Sequence, residues 1–178
     1  AGGLQLVDGE LVPTHGGSLR LWAQRSEVAG PPSPAVAAVL AEERAAGLDT
    51  VEGHGGFAAA VSRVRVDLLR FLLDAADAGK KVVGYGAPGK GNTLLNYCGI
   101  RTDLLQYTVD RNPYKHGRFT PGTRIPIHAP QRLATDRPDY VLVLPWNLRT
   151  EITEQLSYVV EWGGRLVFPI PTLEVVSP

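Results

Sequence analysis

Cysteine is almost missing from this 178-residue chain, with Cys98 standing alone. One cysteine excludes an intrachain disulfide and a cysteine-rich zinc site, and no metal is expected. Net charge is missing too, since 18 basic residues meet 18 acidic ones, whereas nucleic-acid binding usually needs a more strongly basic domain. No apolar run is long enough to cross a bilayer, and no basic, then apolar, then cleavage-site pattern opens the chain. Neither nucleic acid nor membrane is therefore expected as a partner, and a cytoplasmic location follows by default. The first residue is Ala1 rather than Met, and the opening segment reads as the continuation of something, so a fragment is expected.

What is present suffices for one ordinary domain with some extra, because 44% of the residues are hydrophobic. Charge is unevenly spread. Residues 1–79 carry 6 basic and 10 acidic groups, residues 80–178 carry 12 and 8, and residues 84–124 carry 6 and 2. That local excess suits a small phosphorylated ligand; its plainer explanation is a solvated basic face.

The excess surrounds the stretch from Val82 to Tyr97, which reads as a buried strand, a glycine-crowded turn and the start of a helix. Glycines let backbone bend and approach a ligand closely, and the first N–H groups of a helix lack intrahelical partners, so such a junction favours an anion. Lys90 adds a mobile positive charge. Gly84, Gly86 and Gly89 match the dinucleotide fingerprint G-x-G-x-x-G, with Asp110 at a suitable distance to meet a ribose. A Walker A loop nearly fits, but Gly91 stands where Ser or Thr must hold magnesium, which argues against an NTPase. A tight turn with no ligand remains the structural alternative, while Lys90, Asn92 and Thr93 favour phosphate.

Residues 4–12 and 19–23 alternate in hydrophobicity around Thr14-His15-Gly16-Gly17-Ser18, predicting a hairpin. His15 is either a ligand-contacting or catalytic histidine or a turn residue. Gly30-Pro31-Pro32-Ser33-Pro34 reads as a semi-rigid linker. Helices are expected over 34–47 and over about 57–78, the second closed by Gly79; His54 lies in the loop between them. From Lys81 onward strands (81–85, 106–109, 140–144, 165–169, and an edge at 173–176) alternate with helices (about 91–98 and 148–161). This alternation predicts an α/β fold: a Rossmann-like, doubly wound, mostly parallel sheet preceded by two helices and an N-terminal hairpin. Cys98, four residues after Leu94, belongs to that core.

Ligands of such sheets sit beyond the strands' carboxyl ends. Three segments fall there: Gly86 to Thr93, Asp110 to Thr123, and Pro145 to Asn147. Arg111, Lys115 and Arg118 could clamp a diphosphate. Asp110 either takes a sugar hydroxyl or caps the following turn. Trp146 either stacks on a base or fills the sheet edge.

Several long stretches carry a family resemblance: Gly84 to Ile100, Thr108 to Lys115, Gly117 to Gly122, Leu144 to Asn147, and Thr14 to Arg20. Through them nearly the whole chain resembles the C-terminal domain of the S-adenosylmethionine-dependent C-methyltransferases of deoxysugar biosynthesis. The resemblance implies a domain that positions a nucleotide-linked, dTDP-like keto sugar, which the full enzyme methylates at carbon through an enolate. It implies Lys90, Arg111, Lys115 and Arg118 on the diphosphate. Gly86, Asn92, Thr93, Asn96, Tyr97, Asp110, Asn112, Trp146 and Asn147 would surround sugar and base, and only His15 is a candidate for the chemistry. Relatives also carry an N-terminal zinc-binding region and a domain for S-adenosylmethionine. Neither fits in this sequence, so the cofactor site is expected outside it, the fragment alone is expected to bind no cofactor and to be inactive, and the missing domains are expected partners. The implied division is 1–29 as the closing hairpin of the missing methyl-donor domain, 30–79 as linker and helices, and 80–178 as the sugar-nucleotide domain. An NAD-dependent oxidoreductase and a non-catalytic interaction domain are the competing readings, and the helices at 34–78 allow a homo-oligomer.

Overall fold

The computed structural model describes residues 2–178, with residue 15 described by its backbone alone. By its contacts the chain divides into two compact units, 1–59 and 60–178.

In the first unit β1 (Leu4–Val12) and β2 (Ser18–Arg25) form an antiparallel hairpin through a 3-10 turn at Thr14–Gly16. Leu6 pairs with Ala23 and Asp8 with Trp22, leaving Val7 as an extra residue in a β-bulge. The bulge shifts the phase of β1, so Leu4, Leu6 and Leu11 share one side of the ribbon with Leu19, Leu21 and Ala23. Asp8, Glu10, Arg20 and Gln24 take the other side, where Arg20 donates to Glu10 at 2.7 Å. The unit continues into α1 (Pro34–Ala45), which opens with proline in its first turn and has no buried residue. Ser33 ties its start to the bulge, with its N–H donating to the Val7 carbonyl at 2.8 Å and its hydroxyl to Asp8.

The second unit holds the core. Its sheet runs β5-β4-β3-β6-β7-β8, built from β3 (Val82–Tyr85), β4 (Thr108–Val109), β5 (Ile127–His128), β6 (Tyr140–Val143), β7 (Arg165–Phe168) and β8 (Glu174–Val176). All neighbours are parallel except the last pair. Side-chain alternation sends Val82, Leu142, Leu144 and Val167 to one face, where α2 (Phe57–Asp77) and α3 (Gly89–Cys98) bring Leu68, Leu72, Leu94, Leu95 and Cys98. Val83, Tyr85, Val109, Val141, Val143, Leu166 and Phe168 point the other way, onto Leu133 of α4 (Arg132–Asp136), Ile152 of α5 (Arg149–Gln155), and Leu156 and Val159. The sheet is therefore doubly wound, and a run apolar at every position is what two covered faces require.

Some boundaries differ from expectation. The helix α3 begins at Gly89, directly after the extended Pro88, rather than at 91. The helix expected over 148–161 ends at Gln155 and continues as a 3-10 segment, Ser157–Trp162, where Tyr158, Val159 and Val160 are weak helix formers. Strand β4 has only two residues, and β5 and α4 arise in a stretch assigned no element from sequence. The chain order reverses between β3 and β6, so the crevice of interest lies beyond Tyr85 and Val143.

Candidate functional site

The turn after β3 is built by close contact. Gly86 has φ +83, and a Cβ there would come within 2.7 Å of the Pro145 ring. A Cβ on Gly84 would lie 2.6 Å from the Thr108 hydroxyl oxygen, and one on Gly91 2.8 Å from Leu144. Gly89, by contrast, opens into space. Close helix-to-sheet packing thus falls to Gly91, the position where a Walker A loop needs a hydroxyl. The Thr108 hydroxyl also donates to the Gly86 carbonyl at 2.8 Å, pinning the turn to β4.

Asp110 is 8% exposed. Its Oδ2 accepts from the Ala87 N–H at 2.7 Å and from the Lys115 ammonium at 2.9 Å, and its Oδ1 accepts from the Asn112 N–H at 2.8 Å. Burial alone would raise its pKa, but these donors outweigh it and hold the carboxyl below the usual range. Of the two roles open to Asp110, the structure shows turn capping, extended to a clasp between two loops. Lys115 is drawn into the same clasp and also donates to the Ala87 carbonyl at 3.1 Å. Asn112 caps the next turn by accepting from the Tyr114 N–H at 3.0 Å.

The residues of α3 form a separate group. The Lys90 ammonium donates to the Asn147 side-chain oxygen and lies 5.1 Å from the centre of the Trp146 ring. Burial holds its pKa below the ordinary value. Lys90, expected as a mobile charge, thus has a hydrogen-bond partner and an aromatic neighbour in the structure. Trp146 packs against both core clusters, in keeping with the edge-filling alternative. Thr93 donates back to the Gly89 carbonyl at 3.2 Å, and Asn96 bridges to the carbonyls of Asn92 and Pro121 at 2.8 and 2.9 Å. Asn92 keeps a buried Oδ1 with no hydrogen-bond partner among the described residues. Tyr97 is exposed beneath the Arg65 guanidinium, and Arg118 is exposed. The His15 side chain lies outside the described part.

The cleft itself opens on the α5 side of the sheet. A cavity of about 540 Å³ is lined by Tyr85, Arg111, His116, Gln131, Gln155 and Tyr158, among others. A smaller one of about 140 Å³ shares Tyr85, Arg111 and Gln155 and adds Gly86, Asp110, Pro145 and Glu151. Of the residues expected from sequence, the structure brings Gly86, Asp110 and Arg111 to this cleft; Lys90, Asn92, Thr93, Asn96 and Tyr97 belong to α3. Tyr85, His116, Glu151, Gln155 and Tyr158 were not anticipated.

The lining is ordered by hydrogen bonds. The Tyr85 hydroxyl donates to Gln155 Oε1 at 3.0 Å, and Gln155 Nε2 donates to Glu151 Oε1 at 2.5 Å. Arg111 Nη1 stands 3.7 Å from the same oxygen, an ion pair across the mouth. His116 Nε2 lies 2.7 Å from the Asp110 carbonyl, and since a carbonyl only accepts, that nitrogen carries the donated proton. The cleft offers one guanidinium, amides and phenols, a donor set for an anionic ligand with hydroxyl and amide edges.

Comparison with known proteins fits this architecture to a family. A family profile described as "C-methyltransferase C-terminal domain" matches residues 13–171. The C-methyltransferase NovU of Streptomyces niveus is 38% identical over 175 residues, covering 98% of this chain and 42% of NovU. The chain thus spans less than half the length of that relative. Among solved structures, UDP-D-quinovosamine 4-dehydrogenase from Vibrio fischeri superposes with a TM-score of 0.39 at 22% identity, covering 55% of this chain and 93% of the other, a likeness too distant to bear on function.

Proposed function

The chain belongs to the C-methyltransferase C-terminal domain family, and on that premise we propose that it holds the nucleotide-linked keto sugar which the complete enzyme methylates at carbon. The observation that carries this reading is the cleft of about 540 Å³ at the sheet's carboxyl edge, where Arg111 faces phenol, imidazole and amide groups.

Carbon methylation through an enolate takes a proton from the carbon beside the sugar ketone, and the electron pair released forms the new bond to the methyl carbon. S-adenosylmethionine, bound by a domain outside this chain, would supply that methyl group, the electron pair of the broken methyl–sulfur bond staying on its sulfur. The residues described above bind and orient: Arg111 takes the diphosphate, the Tyr85, Gln155 and Tyr158 edge takes nucleoside or sugar hydroxyls, and the Asp110 clasp keeps the two loops in register. Lys90, with Asn147 and Trp146, adds positive potential at the first turn of α3. Fixing the sugar relative to the methyl donor contributes on the order of several kcal/mol to lowering the barrier. Without the donor domain the chain is inactive, and the leucine side of the hairpin at 1–29 is the surface that domain covers.

Titration of the purified chain with dTDP, NAD and S-adenosylmethionine in parallel, followed by thermal midpoint, tests this. A ligand that binds only the native state must raise the midpoint. A rise with dTDP that Arg111→Ala abolishes is expected. A rise with NAD and none with dTDP would overturn the reading in favour of an oxidoreductase.

A further inference from the structure

In the dinucleotide fingerprint the acid after the second strand reads the ligand. Here that acid, Asp110, has both carboxylate oxygens engaged by Ala87, Asn112 and Lys115. A different carboxylate faces the cleft. Glu151 comes from α5 on the far side of the crevice, is 57% exposed, and meets an Arg111 that is 67% exposed. It is also the end of an ordered string, Tyr85 to Gln155 to Glu151, so its position is set from β3 through α5.

Resting on the ligand reading above, we propose that Glu151 tunes the affinity for the diphosphate: it holds Arg111 across the cleft mouth as a competing carboxylate, which phosphate oxygens must displace before they can take the guanidinium over. An uncharged nucleoside has no phosphate to offer the guanidinium and leaves the pair in place. A diphosphate offers more charge and a better bidentate fit than one carboxylate oxygen at 3.7 Å, and it displaces the pair. Because both side chains reach into water, the exchange costs little desolvation and the pair is weak enough to open.

The test is calorimetric titration of the full chain with dTDP and, separately, with thymidine, for wild type, Glu151→Gln, Arg111→Gln and the double variant. Glutamine keeps the shape of Glu151 and a hydrogen-bonding oxygen for Gln155 while removing the charge. Glu151→Gln should bind dTDP about two- to fivefold more tightly, the range an exposed ion pair allows, and bind thymidine as wild type does. Arg111→Gln should weaken dTDP, and adding Glu151→Gln to it should give no gain. The proposal falls if Glu151→Gln leaves dTDP affinity unchanged, tightens thymidine equally, or keeps its gain without Arg111. Those results would leave the ligand reading standing. Failure of wild type to bind dTDP would overturn both. Both sites are exposed, and an unchanged thermal midpoint in the variants confirms that they are folded.

Discussion

Residues 60–178 and residues 1–59 use hydrophobic side chains in opposite ways. In the larger unit the sheet is covered on both faces, and every buried hydrophobic residue described lies at Leu68 or beyond. In the smaller unit the leucines are sorted onto one side of a hairpin and left in water, Leu4 at 63% and Leu11 at 71% exposed. Patterning alone therefore does not make a core, since a two-stranded ribbon has no second layer to bury its apolar side against.

The sharpest way to break that comparison is to cut the same kind of side chain in both places. Leu95 is fully buried under the sheet, and Leu95→Ala should cost about 3 kcal/mol through lost burial and the cavity left behind, read by chemical denaturation. A loss under about 1 kcal/mol would show a looser core than described. Next in size, Gly91→Ala should cost about 1–3 kcal/mol, because its methyl meets Leu144 and the helix must move off the sheet. An unchanged midpoint would mean that α3 is not seated as closely as the geometry requires.

Asp110→Asn should cost about 1–3 kcal/mol at neutral pH by weakening the clasp. Its folded pKa lies below the unfolded value of about 3.9, so the contribution is complete above that value and is lost as the pH falls through the folded pKa. The variant should therefore show a smaller loss of stability between neutral and strongly acidic pH than wild type, and equal acid sensitivity in the two would refute the clasp. The smallest effect belongs to the hairpin, where Leu11→Ala should change stability by no more than about 0.5 kcal/mol. A larger loss would show that the smaller unit has a hidden partner.

Long periodic segments were legible from sequence for reasons that the two covered faces explain. The α2 spacing of Val64, Leu68 and Leu72 and the unbroken apolar runs at β3, β6 and β7 each state their burial directly. The two-residue strands β4 and β5 do not, because a period needs more length than they have, and Pro126 and Pro130 flank β5 in a stretch that otherwise resembles loop. The glycine turn was legible as a turn, but the partner that each glycine approaches was not. Gly86 against Pro145 and Gly91 against Leu144 are contacts between segments more than fifty residues apart. The same limit applies to the cleft. The sequence offers turn capping for Asp110, but not its reach back to the Ala87 N–H, nor that of Lys115 to the Ala87 carbonyl, nor the pairing of Lys90 with the distant Asn147. The sequence does not single out Glu151 and Gln155, because a polar pair four residues apart on a helix is usually solvated surface, and only their place on a helix following a parallel strand marks them.

The bulge at Val7 gives the hairpin a property comparable to a reading frame. With eight residues of β1 matched to eight of β2 around one supernumerary position, the sorting of side chains depends on that position staying out of the ladder. Removing Val7 would leave Leu6 opposite Ala23 and Asp8 opposite Trp22 in a plain ladder, with the sorting intact. Drawing Val7 into the ladder while the turn keeps its pairing would slip the far end by one and transfer Leu4 and Leu6 to the charged side, leaving Leu11, Leu19 and Leu21 behind. Each side would then be a mixture, and neither would suit an apolar layer. Substitutions within β1 are thus tolerable one by one, whereas losing the bulge with Val7 still in the chain rewrites the far half of the ribbon. Related chains are expected to keep the extra residue and its bulge together or to lose both together.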